Sequence, residues 1–131
     1  MTRIGRLKRR AEFLAAAAAN RKWVAPGLVL QARVVEAGAE SAPDPIRPEA
    51  IKLGFTASRK VGNAVLRNRA KRRLRAIAAE ILKDVAAPSL PTDLVLIARP
   101  ATVTRDYQSL KQDFTRGLQK LGVVAKEERA R

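Results

Sequence analysis

Arg67, Asn68, Arg69, Lys71, Arg72 and Arg75 crowd into one short stretch of the sequence, with Ser58, Arg59 and Lys60 just before them. No carboxylate occurs between Ala50 and Ala79 to neutralise the charge. On a helix, Arg67, Lys71 and Arg75 fall along one flank at four-residue spacing and Arg69 and Arg73 along the other, while Asn68 and Arg72 point outward. The chemistry this offers is phosphate recognition. A guanidinium is a planar fork that grips phosphate oxygens in pairs, and an ammonium adds a point charge. Asn68 supplies an uncharged donor and acceptor, suited to a sugar hydroxyl, a base edge or a backbone group. A solvated basic face explains most charge runs, but uncompensated like charge costs stability unless a polyanion offsets it.

Other side chains extend this reading. Gly62 lets the chain turn sharply and Asn63 is a good helix N-cap. A helix start flanked by Arg59 and Lys60 attracts anions. Phe13 reads either as core or as a partly exposed ring on which an unpaired base stacks. Trp23 and Tyr107 read as packing residues. The carboxylates Asp93, Asp106 and Asp113 are scattered, with no acid–base pair among them, and no Gly-rich phosphate loop of the Walker type is present. Cysteine and histidine are both absent, which excludes disulfides, thiolate metal sites and histidine acid–base chemistry. The residues point to a nucleic-acid binder without a catalytic group of its own.

Composition agrees. Lys plus Arg number 27 against 12 Asp plus Glu, a net charge of +15 that makes a polyanion the first partner to expect. At 131 residues the chain has the length of one domain, able to bury a core without staples. No apolar run spans a bilayer, and the basic N-terminus precedes an alanine stretch interrupted by Glu12 and Asn20, a poor signal-peptide core. A cytoplasmic location is expected. Aromatic anchors for a lipid surface are few, 4% of the chain.

The elements that must position these residues follow from periodicity. Good helix formers predict a first helix over about 9–19, with Phe13 off the face of Leu7, Ala11 and Leu14 and Asn20 as its left-handed stop. Pro26-Gly27 marks a turn between a short strand near Trp23 and a longer one over 28–35. The segment 37–50 reads as a surface loop, and 51–57 as a strand with Ile51, Leu53 and Phe55 on one face and Lys52, Gly54 and Thr56 on the other. Leu66, Ala70, Leu74, Ile77, Ile81 and Val85 make the apolar stripe of a helix over about 63–85. The run 94–98 is a strand covered on both faces. Tyr107, Leu110, Phe114, Leu118 and Leu121 form a last helix that Gly122 ends, leaving 123–131 as a flexible tail. The expected fold is α+β, a small single-layer sheet packed with helices in the order α-(β)-β-β-α-β-α, in one domain that binds RNA or DNA.

The run FTASRKVGNAVLRNRAKRRLR, from Phe55 to Arg75, resembles the signature of the bacterial ribonuclease P protein subunit. GNAV precedes the central Arg67-Asn68-Arg69, a strand with a small-polar-basic end precedes that, and Lys71, Arg72 and Arg75 follow. RLKRRAEF, VLQAR and LVLIAR extend the resemblance over nearly all of the chain outside 37–50 and the last residues.

The resemblance implies a protein cofactor of a large catalytic RNA that removes the 5′ leader of precursor tRNA, with magnesium required by the RNA and no catalytic or metal-binding group on the protein. Partners would be ribonuclease P RNA and the precursor-tRNA leader, with neither a membrane nor an obligate protein partner. It assigns the catalytic RNA to Arg67, Asn68, Arg69, Lys71, Arg72 and Arg75. It assigns the single-stranded leader to a cleft holding Phe13, Val29, Gln31, Ser58, Arg59 and Lys60. It also implies a left-handed β–α–β crossover, against the usual right-handed rule. Two positions depart from the family pattern: Ala17 replaces a second aromatic one helical turn after Phe13, and Gln31 replaces a strand tyrosine, so leader contacts rest more on Phe13 and on charge. Two other classes stand beside this one. A ribosomal or other structural RNA-binding protein shares the composition but not the GNAV–RNR spacing. A self-sufficient nuclease is disfavoured by the lack of histidine and of a carboxylate cluster.

Overall fold

A computed structural model of the chain describes residues 3–35, 49–88 and 90–123. The elements run β1 (Ile4–Arg6), α1 (Arg10–Ala18), β2 (Lys22–Val24), β3 (Leu28–Val34), β4 (Ile51–Thr56), α2 (Ala64–Leu82), β5 (Thr92–Ala98), a 3-10 turn (Pro100–Thr102) and α3 (Tyr107–Lys120). The strands form one mixed sheet in the order β1-β4-β5-β3-β2. Strands β1, β4 and β5 are parallel, and β3 runs antiparallel to both β5 and β2. The fold is α+β as expected, with one more strand than the sequence pattern reveals. The lone Ile4 carries no alternation; β1 exists because the chain before α1 pairs with the edge of β4, an arrangement begun by the Arg3 carbonyl accepting from the Ala50 and Ile51 amides.

Alternation along the strands assigns the two faces. Leu28, Leu30, Ala32, Ile51, Leu53, Leu94 and Leu96 share a buried core with α2 and α3. The stripe of α2 is Ala70, Leu74, Ile77, Ala78 and Leu82; Ala78 and Leu82 join it because a 3.6-residue turn drifts from any fixed spacing, leaving Ile81 and Val85 at the margin. In α3, Leu110, Phe114 and Leu118 are fully buried, and Gly122 takes a positive φ of 76° just past the helix. Strand β5 is central and buried on both sides. Among the described residues the opposite face carries only α1, through a smaller cluster of Leu7, Ala16 and Val95 with Phe13 and Ile97 at its edge. Phe13, not Leu14, is the sheet-facing side chain, since Leu14 is 55% exposed. Asn20 ends α1 at φ 57°.

The three carboxylates set aside above all have structural partners. Asp93 pairs with Arg33, Asp106 caps α3 through the Ser109 amide, and Asp113 holds Arg105 and the Gly27 amide. Most of the 37–50 segment lies outside the described residues; Glu49 and Ala50 are half-buried beside β1. Val123, the first residue of the expected tail, is buried, its amide donating to the Leu118 carbonyl; the rest of that segment lies outside the described residues. Among the described residues no helix is long and apolar enough to cross a membrane.

Candidate nucleic-acid interface

The basic helix is anchored by its apolar stripe and by one of its own arginines. Arg73 is half-buried, and its guanidinium donates to the carbonyls of Thr102, Val103 and Arg105 at 2.8, 3.0 and 2.7 Å. These carbonyls cluster where the 3-10 turn ends, a site of partial negative charge that suits a cation. Arg73 is thereby withdrawn from the surface and fixes the rotation of α2. On the other flank, the Arg75 guanidinium lies 5.5 Å from the centre of the Phe55 ring. Between these anchors Asn68, Arg69 and Arg72 are exposed, and Arg67 and Lys71 are half-buried along their stems. Among the described residues, Arg67, Arg69, Lys71 and Arg72 form no ion pair, whereas Arg33, Lys52, Arg105 and Lys111 each hold a carboxylate.

The entry to α2 adds to this field. Ser58 to Gly62 forms a tight turn: the Val61 amide donates to the Ser58 carbonyl, the Gly62 amide to the Arg59 carbonyl, and the Lys60 amide to Ser58 Oγ. Gly62 sits at φ 142°, and a β-carbon there would come within 2.6 Å of Leu66. The Asn63 side chain caps the helix by accepting from the Leu66 amide at 3.0 Å. No acidic residue lies in the first turn. The positive end of the helix and the exposed side chains of Arg59 and Lys60 therefore reinforce each other.

On the α1 face, strand register builds three cross-sheet rows. Arg33, Asp93 and Lys52 form a charged row, closed by Glu12 of α1 at 3.6 Å from Lys52. Gln31, Val95 and Gly54 form the middle row, which α1 covers: Ala16 packs on Val95, and the Phe13 ring rests over Gly54. Val24, Val29, Ile97 and Thr56 form the third, left open beyond the helix, with Val24 52% exposed. From Thr56 the chain passes directly to Ser58, Arg59 and Lys60. The result is a cleft with an aromatic wall, an apolar floor and a cationic end. Phe13, Val29, Gln31, Ser58, Arg59 and Lys60 thus lie around one surface, while Arg67, Asn68, Arg69, Lys71, Arg72 and Arg75 lie along α2. Sequence reasoning overlooked Val24, Thr56 and Ile97 as lining residues. Alternation in β2 and β4 would have found the first two, but Ile97 is hidden in an uninterrupted apolar run.

Comparisons with known proteins agree with this architecture. The family model described as Ribonuclease P matches residues 1–122. The ribonuclease P protein component of Paramagnetospirillum magneticum is 44% identical over 95% of this chain and 87% of its own length. That of Gluconacetobacter diazotrophicus is 45% identical over 95% of this chain and 97% of its own. Among solved structures, the Staphylococcus aureus RNase P protein superposes with a TM-score of 0.65 at 21% identity, covering 91% of this chain and 96% of that one. The Thermotoga maritima RNase P protein gives 0.61 at 22% identity, covering 85% and 92%; these two support the fold alone. By the match of the family model over almost its whole length and by relatives at this identity, the chain belongs to the bacterial ribonuclease P protein family, the protein component of a tRNA-processing enzyme.

Proposed function

We propose that this chain binds the catalytic RNA of ribonuclease P through α2 and the 5′ leader of precursor tRNA through the cleft under α1, promoting 5′ maturation of tRNA. The observation that carries the reading is the set of cations on α2 that no described carboxylate neutralises, next to a sheet face with an aromatic wall and an apolar floor. Arg67, Arg69, Lys71, Arg72 and Arg75 grip RNA phosphates, and Asn68 between them contacts a sugar, base edge or backbone group. Phe13 stacks a leader base over Gly54, Val29 and Gln31 form the floor, and Ser58, Arg59 and Lys60 hold leader phosphates.

Magnesium in the reaction belongs to the RNA in this reading, and the chemistry rests on the RNA subunit. The protein contributes binding and orientation. The test is reconstitution with a bacterial ribonuclease P RNA and precursor tRNA at low magnesium. Addition of the protein is expected to raise cleavage and to tighten binding of substrate that carries a leader. Absence of both effects would defeat the proposal, and cleavage by protein alone would replace it with a self-sufficient nuclease.

A further inference from the structure

A second concave surface lies on the opposite side of the sheet from the leader cleft, between β1 and α2, with a volume of about 480 Å³. That is within the range of about 300–1,000 Å³ usual for small-ligand sites. Between Arg75 and Lys83, α2 lines it with the short side chains of Ala78 and Ala79, which leave the space toward β1 open. Leu53 and the half-buried ring of Phe55 form its apolar floor. Its rim is cationic on both sides, with Arg6 from β1 and Arg75 and Lys83 from α2, and among the described residues no carboxylate lines it.

We propose that this groove takes one unpaired nucleotide of the catalytic RNA, its base against Phe55 and the alanine wall and its phosphates on Arg6, Arg75 and Lys83. Two observations select this occupant. An aromatic and apolar floor under a wholly cationic rim is complementary to a base with its phosphate, and a purely apolar partner would leave three cations facing it uncompensated. The groove is also continuous with the basic helix, because Arg75 belongs to both: it continues the flank of Arg67 and Lys71 and it covers Phe55. An RNA strand lying along α2 would reach the groove without leaving the positive surface. The inference rests on the proposed binding of catalytic RNA by α2 and adds a base-recognising pocket to a contact otherwise made to phosphates.

The test is Ala79→Leu, which fills the groove without removing a cation. Ala79 is exposed on the helix and leucine is a good helix former, so the fold is expected to persist. Arg6→Gln, on the opposite wall, serves as the second variant, and melting curves of both control for folding. Binding to a bacterial ribonuclease P RNA is measured as a function of salt, together with chemical probing of its unpaired bases. The expected result is about a tenfold loss of affinity for Ala79→Leu, the scale of one lost base stack. Its salt dependence should be unchanged, and one base protected by the unmodified protein should become reactive. Arg6→Gln should lose affinity with a shallower salt dependence. Normal affinity and an unaltered protection pattern for both folded variants would overturn the groove while leaving the role of α2 intact. Failure of the unmodified protein to bind the RNA would overturn both.

Discussion

Phe13 and Gly54 fit together as ring and seat: a β-carbon on Gly54 would come within 2.7 Å of Phe13 Cζ and 3.0 Å of Leu7 Cδ1. A glycine inside a strand weakens the strand, and here its absent side chain is what lets the aromatic ring of α1 approach β4 so closely. Gly54→Ala should therefore push Phe13 off the sheet and lower stability by about 1–3 kcal/mol, the cost of overpacking, read from urea or thermal unfolding. Phe13→Ala should weaken binding of precursor tRNA and leave mature tRNA unaffected. The two substitutions share one contact, so their effects on leader affinity should fall short of additive. Full additivity, or equal losses for precursor and mature tRNA, would mean that Phe13 serves only as core.

The exposed cations of α2 should behave as phosphate contacts. For Arg67→Ala with Arg69→Ala, binding to ribonuclease P RNA should weaken, and the slope of log affinity against log salt should flatten by about one unit per lost contact. A slope equal to that of the unmodified protein would show that neither guanidinium meets phosphate. Asn68→Ala should weaken binding with the slope retained, because an amide releases no counterion.

Arg73 lies in the same basic run but has a different role. Its three carbonyl partners lie in the segment that joins β5 to α3, so it ties the helix to that connection. Arg73→Met keeps the stem and leaves those carbonyls without their donor. The expected cost is about 1.5–3 kcal/mol of stability, whereas Arg72→Met, on the exposed face, should melt within a degree or so of the unmodified protein and lose RNA affinity instead. Matching stability losses for the two variants would contradict this division.

This division also shows what the sequence could not convey. Helical spacing places Arg73 on a flank with Arg69, but it carries no information about the carbonyls of Thr102, Val103 and Arg105, some thirty residues away in the chain. The same limit hid β1, whose three residues are a strand only because β4 offers an edge. Local chemistry was enough for the Asn63 cap, the Gly62 turn and the ends of α1 and α3, since each of these depends on nearest neighbours in the chain. The side chains proposed for RNA were recognisable by type. Their grouping into a cleft was not, because the row from Val24 through Val29 and Ile97 to Thr56 is created by sheet order and register.

Glu12 gives the fold an acid-sensitive element. Burial alone would raise its pKa and is the largest single influence, but the Arg9 and Lys8 amides and the Lys52 ammonium together outweigh it and hold the carboxyl below its usual value. A carboxylate with a lower pKa folded than unfolded stabilises the protein above the unfolded value of about 4.3, and this contribution disappears as pH falls through the folded value. Glu12→Gln should therefore melt lower than the unmodified protein at pH 7, and the gap should narrow on acidification below about pH 4. A gap that stays constant down to pH 3 would show that the Glu12 charge contributes nothing to the fold.

Net charge sets the last expectation. At +15, with several cations of α2 free of any described carboxylate, the folded state concentrates repulsion that the unfolded chain spreads out. Simple screening by any salt relieves part of it. A bound anion relieves more, because binding confined to the folded state stabilises it by about 2.7 kcal/mol when the anion is present at a hundredfold excess over its dissociation constant. Sulfate or phosphate should therefore raise the melting temperature more than chloride does at equal ionic strength. Sulfate also strengthens apolar burial in proteins generally, so the difference must shrink in Arg67→Ala with Arg69→Ala to be assigned to α2. An increment identical in that variant would place the stabilising anions elsewhere, and no increment beyond chloride would mean that the free protein folds without bound anions.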